Sequence, residues 1–222
     1  MLLERSKRVE KKKDVKKARF GELKYLFYWF LSMGVFLLCE LFIPSELCYS
    51  VHTFLDDGVP FLEGFIIFYV LWYFLIAGSL IYFFLKRPHS FKRFLIYMTV
   101  CQMLAVVIFV LFPNKQDLRP EIMPRDNVFS DLTSLIHSVD TNTNVCPSLH
   151  VAYSAALASV WCKEKISTAK KLLWIALAIL ITLSTVFVKQ HSVLDIFVAL
   201  PACLIAELVA YRLVTNNMPD RS

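Results

Sequence analysis

His150, in the run CPSLHV, and His191, in KQHSVLD, are the residues best suited to chemistry, and Asp195 stands four positions after His191. On a helix, that spacing puts a carboxylate beside the imidazole on one face. An imidazole held through one nitrogen by a carboxylate presents the other nitrogen unprotonated, as a nucleophile or a base. Taken alone, a histidine at the start of an apolar run is ordinarily an interfacial polar residue. A carboxylate inside such a run is costly and generally functional, and it shifts the balance. Lys115 and Arg119 follow the third apolar run, Ser148 precedes His150, and Lys189 precedes His191 by two. Three cations, a hydroxyl and two helix N-termini gathered at one end of a bundle suit an anion, with phosphate the natural candidate.

The elements that must position these residues are membrane spans. Of 222 residues, 57% are hydrophobic and 14% aromatic, and the apolar runs are longer than a soluble core needs. Six runs are expected to cross the bilayer, over residues 25–43, 61–85, 94–112, 148–162, 172–188 and 193–214. They are continuously apolar instead of alternating, so helices are expected and a β-barrel is not. The resulting fold class is all-α, a polytopic bundle of six transmembrane helices forming one domain over residues 25–215. The fourth run is short by the ~20-residue measure of a span. Its small residues at four-residue spacing, Ala152 with Ala156 and Ala155 with Ser159, suit close packing at the centre of the bundle.

Charge sets an expected orientation. The first 20 residues hold nine Lys or Arg against three acids, which marks residues 1–24 as a basic cytoplasmic tail, with a second short tail at 216–222. The connections over 86–93 and 163–171 carry four basic residues each, whereas 45–60 carries none. Both termini are thus expected inside, with the histidines on the extracytoplasmic face of a plasma membrane. A basic run next to a span ordinarily touches anionic lipid, and no nucleic-acid partner is expected.

Other features take plainer readings. The six cysteines form no disulfide framework; Cys48 and Cys146 alone fall on the expected outer face, and whether they pair stays open. No metal-ligand spacing is present. His52, His89 and His137 have no partner at a useful spacing, and Glu207 has Arg212 five residues on. Residues 131–140, DLTSLIHSVD, have the pattern of a short amphipathic helix that could cover the site.

The segments PNKQDLRP, CPSLHV and STVFVKQHSVLD resemble the three signature motifs of the type 2 phosphatidic acid phosphatase superfamily, and the inositol phosphorylceramide synthase-like branch in particular. The usual forms are KxxxxxxRP, PSGH and SRxxxxxHxxxD. Here Lys115 precedes Arg119 by four positions instead of seven, Leu149 replaces the motif glycine, and Thr185 stands where an arginine is usual, with Lys189 a substitute for the missing charge. The resemblance implies that His191 attacks phosphorus, Asp195 orients it, and His150 serves as acid and then base. It also implies that Lys115, Arg119, Ser148 and Lys189 hold the phosphate oxygens without metal or cofactor.

Three functional classes remain. A lipid-phosphate phosphohydrolase, acting on a lipid phosphate or pyrophosphate through a phosphohistidine, leads. A lipid phosphotransferase passing a phospho-headgroup to an acceptor hydroxyl would use the same histidines. A transporter or silent scaffold is the non-enzymatic alternative.

Overall fold

The computed structural model describes residues 20–215; the tail at 216–222 and most of the tail at 1–24 lie outside the described residues. Eight helices follow one another: α1 (Leu23–Phe42), α2 (Phe54–Asp57), α3 (Ile66–Lys86), α4 (Pro88–Leu111), α5 (Val128–Val139), α6 (Leu149–Lys163), α7 (Thr168–Phe187) and α8 (Val193–Thr215). The stretches Leu23–Phe42, Glu63–Lys86, Pro88–Leu111, Thr168–Phe187 and Val193–Val214 are long and apolar enough to cross a membrane. All six expected runs are helical, and five of them meet that length; the sixth span is not established. At 15 residues, α6 is about 22 Å long, short of a ~30 Å hydrocarbon layer. It packs against α3, α4, α7 and α8, with Ala152 and Ala156 buried at the contacts.

Helix ends depart from the apolar pattern where polar groups are anchored. Helix α4 begins six residues early because Pro88 sits in its first turn, where its missing N–H costs nothing. Lys92 stays within that helix, buried, with its ammonium donating to the Leu213 carbonyl at 3.2 Å. Helix α3 begins late: Leu62 donates its N–H to the Phe187 carbonyl at 3.0 Å, and Arg125 grips the Glu63 carboxylate in the 3-10 turn that follows. The all-α expectation meets one small exception, a parallel ladder pairing β1 (Tyr49–Ser50) with β2 (Asn114–Lys115).

Several local expectations are corrected. Glu207 reaches not Arg212 but Lys163 at 2.8 Å and Arg93 at 3.6 Å, on neighbouring helices. His52 does have a partner, Asp57 at 2.7 Å, and His137 donates through Nε2 to the Val188 carbonyl at 2.9 Å. Cys48 and Cys146 are free thiols. The amphipathic segment forms α5, N-capped by the Asn127 side chain, with Leu132 and Ile136 packed on Ile66, Tyr69 and Val188.

Candidate active site

The turn between α7 and α8 sets His191. Backbone N–H groups of Gln190 and His191 both donate to the Thr185 carbonyl, at 2.9 and 3.0 Å, and Lys189 takes a left-handed φ of 58° to reverse the chain. Asp195, in the first turn of α8, is fully buried. Its Oδ2 accepts from His191 Nδ1 at 2.9 Å and from the Ser192 N–H at 3.0 Å. An ionised carboxylate can only accept, so the ring hydrogen sits on Nδ1 and Nε2 carries the free lone pair. Burial pushes the neighbouring Cys146 thiol well above its ordinary pKa, and the Asp195 charge adds to the effect.

A second carboxylate, Asp56 of α2, secures the same turn from outside. Its Oδ1 accepts the Val193 N–H at 2.7 Å, and its Oδ2 accepts the Ser192 hydroxyl at 2.7 Å and the Thr53 N–H at 2.8 Å. Burial alone would raise its pKa, but these bonds outweigh burial and hold the group below the usual aspartate value. Asp56 thereby caps the start of α8, a cross-chain counterpart of an N-cap side chain.

His150 is the second residue of α6. Ser148 caps that helix, its hydroxyl accepting from the Val151 N–H at 3.4 Å. The His150 ring is sandwiched by Tyr69 and Trp72, with centroids at 4.2 and 4.1 Å. Its centroid lies 5.9 Å from that of His191, and its Nε2 has no protein partner. The irregular chain leading into α6 is held by Asn114, whose side chain bonds Val145 N–H, Cys146 N–H and the Cys146 carbonyl at 3.0, 2.8 and 2.9 Å.

Both histidines open into one cavity of about 410 Å³. Its polar end is formed by Asp140, Thr141, Asn144 and Gln190, and its apolar walls come from α1 and α3. Asp140 accepts from the Tyr69 hydroxyl at 2.7 Å and from Gln190 Nε2 at 2.8 Å. Sequence reasoning missed Tyr69, Trp72, Asp140 and Asp56. Only Asp56 had a local signal, as the fourth residue of the capping box that begins at Thr53.

The structure thus brings together His150, His191 and Asp195, with Ser148 two positions before His150. The three cations are placed otherwise. Arg119 directs its guanidinium to the carbonyls of His137, Asp140 and Thr141, each at 2.8 Å, behind the cavity wall; burial pulls its pKa below the ordinary value. Lys189 donates to the Asp56 and Val59 carbonyls at 3.2 and 2.6 Å, and burial lowers its pKa as well. Lys115 lies in β2, 4.0 Å from Asp117. Among the described residues lining the cavity, none is Lys or Arg.

No curated protein and no solved structure matches the chain. A family model, the PAP2 superfamily, matches residues 81–219, a stretch that contains α4, α6, α7, both histidines and Asp195. More than half of the chain is covered, and the protein belongs to the PAP2 superfamily.

Proposed function

We propose that this protein is a lipid-phosphate phosphohydrolase that works through a phosphohistidine on His191, with its site on the extracytoplasmic face of a plasma membrane. One observation carries the reading: a nucleophile aligned by a buried carboxylate and a second histidine with an unpartnered nitrogen meet in a cavity with a polar end and apolar walls from α1 and α3. Membership of a family of phosphatase-type enzymes agrees with it.

The chemistry follows from those atoms. His191 Nε2 attacks phosphorus while the bond from phosphorus to the lipid oxygen breaks, and His150 gives its proton to that oxygen. Water then attacks phosphorus with His150 as base, the N–P bond breaks, and inorganic phosphate leaves with His191 restored. Asp195 stabilises the imidazolium formed on attack. The N-terminus of α6 adds a positive dipole end beside His150. Arg119 bears on the phosphate through the Asp140–Thr141 segment that it holds, and Lys189 through the turn that presents His191.

The lining without Lys or Arg favours a second reading, a non-catalytic lipid-binding protein, and one experiment separates the two. Purified protein in EDTA is offered phosphatidic acid, diacylglycerol pyrophosphate and undecaprenyl pyrophosphate, beside His191→Ala. Release that survives EDTA and falls by about 10⁴-fold or more in the variant is expected for covalent histidine catalysis. Product formed only when an acceptor lipid is added would make the protein a phosphotransferase. No product under either condition would leave the non-catalytic reading.

A further inference from the structure

The cavity contains a polar group that the phosphate chemistry leaves unused. Gln102, midway along α4, is fully buried and lines the cavity. Its amide is oriented by a chain of hydrogen bonds. The indole N–H of Trp29 can only donate, and it donates to the Tyr153 hydroxyl at 3.0 Å. The tyrosine's own hydrogen goes to Gln102 Oε1. The amide oxygen is therefore the acceptor, and Nε2, with two hydrogens, has no protein partner. Leaving such a buried donor unmade costs about 1–3 kcal/mol, and native interiors seldom do so.

Its position relates this donor to the histidines. Tyr153 is three residues into the bundle from His150 on α6, about 4.5 Å along the axis. The Trp72 ring stands between the two, 4.1 Å from His150 and 5.9 Å from Tyr153. Of the lining that α1 and α3 add, Met33, Phe36, Ile76, Ala77 and Leu80 are apolar, and Trp29, Trp72 and Tyr73 are aromatic with a polar atom each. A ligand extending from the histidines into the cavity meets two buried donors without a protein partner, Trp72 Nε1 and Gln102 Nε2, the latter alone being an amide with two hydrogens to give. That pattern fits a lipid with an acyl carbonyl a few bonds from phosphorus. A polyprenyl phosphate offers no acceptor there, since its chain is hydrocarbon alone.

We propose that Gln102 Nε2 donates to an acyl carbonyl of the lipid, so that the cavity selects acylated lipid phosphates over polyprenyl phosphates, with Trp29 and Tyr153 as positioning residues for the amide. This rests on the lipid-phosphate reading of the same site. A site built to bond one substrate oxygen discriminates sharply against an analogue that lacks it.

The test compares four ligands: diacyl phosphatidic acid, its dialkyl ether analogue, ceramide 1-phosphate and a polyprenyl monophosphate. Phosphate release is measured in the wild-type protein and in Gln102→Met. Binding is measured in the His191→Ala background, with and without Gln102→Met, by quenching of the fluorescence of Trp29 and Trp72. The expected result is a preference of about tenfold for a carbonyl-bearing lipid over the dialkyl ether, the worth of one hydrogen bond to a buried donor. In Gln102→Met that ratio falls towards one. Whichever of the ester and the amide holds the preference identifies the source of the carbonyl. Equal binding of diacyl and dialkyl lipids by protein with Gln102 intact overturns the proposal, even if the variant fails to fold, and so does a preference that survives Gln102→Met. A carbonyl preference in binding with no phosphate release from any ligand defeats the phosphohydrolase reading and leaves this one standing.

Discussion

The two ends of the helix bundle handle polar groups in opposite ways. At the end where α6 finishes, charges answer one another: Glu207 lies between Lys163 and Arg93, Glu164 takes Arg87 at 3.0 Å together with the Ser90 hydroxyl, and Lys92 rests on a carbonyl. At the histidine end, Trp72 Nε1, Gln102 Nε2, Asn144 Oδ1, His150 Nε2 and Gln190 Oε1 are buried without a partner, and all five residues line the cavity. Buried polar atoms are normally satisfied. A concentration of exceptions around one space marks a candidate ligand site, whereas the opposite end has fewer among the described residues, Arg93 Nε being one.

That contrast is sharpest at Asp195, the carboxylate of the proposed site. Asp195→Asn keeps the size of the side chain but lets it donate to His191, which favours the wrong tautomer. Phosphate release is expected to fall by about 10³-fold or more with the melting temperature little changed. A loss of activity that merely tracks unfolding would break the comparison. Arg119→Ala comes next, since it frees three carbonyls behind the cavity wall. A loss of about 2 kcal/mol in thermal unfolding, with a raised KM, is expected. Glu207→Gln is the control at the opposite end. It should lower stability by about 1 kcal/mol while kcat stays within about twofold; a large loss of turnover would mean that the two ends are coupled.

The smallest effects are those of pH. His137 has its pKa lowered by burial above all. The unfolded chain therefore gains this proton first, and stability is lost from about pH 6.5 downward until the folded imidazole also titrates. Asp56, with its folded pKa lowered, contributes stability that is present above the ordinary aspartate value and lost as pH falls through the folded one. Melting temperature in detergent should thus drop in two steps on acidification. His137→Gln should remove the first and leave the second.

Much of this was legible in the chain. The apolar runs located the long helices to within about six residues, and the i, i+4 spacing of His191 and Asp195 foretold the 2.9 Å bond between them. Both signals are local, arising from hydropathy and from closeness in sequence; His191 lies in the turn before α8, so its bond to Asp195 comes from that turn and not from helix periodicity. The placement of the cations was not legible. Whether Arg119 faces a ligand or a set of carbonyls depends on where residues 137–141 fold, and whether Lys189 reaches inward depends on the loop around Asp56. For Glu207 the sequence offers only neighbours on its own helix, whereas Lys163 and Arg93 lie across helix contacts. Tyr69 and Trp72 lie within an apolar run, where nothing local marks them as the rings that stack on His150.

The shortness of α6 has a further consequence for which molecules can reach His150. Glu164, at the end of that helix, is anchored at the α3–α4 corner, so the helix begins about 8 Å short of where a 30 Å span would. In the proposed membrane setting the histidine would therefore lie below the surface, with the cavity continuing past it towards Gln102. A water-soluble phosphate ester would have to shed its hydration to descend there, whereas a lipid already dissolved in the surrounding oil has its tail at the right depth. Under the proposed function, that depth would favour the lipid before any bond to phosphorus is made.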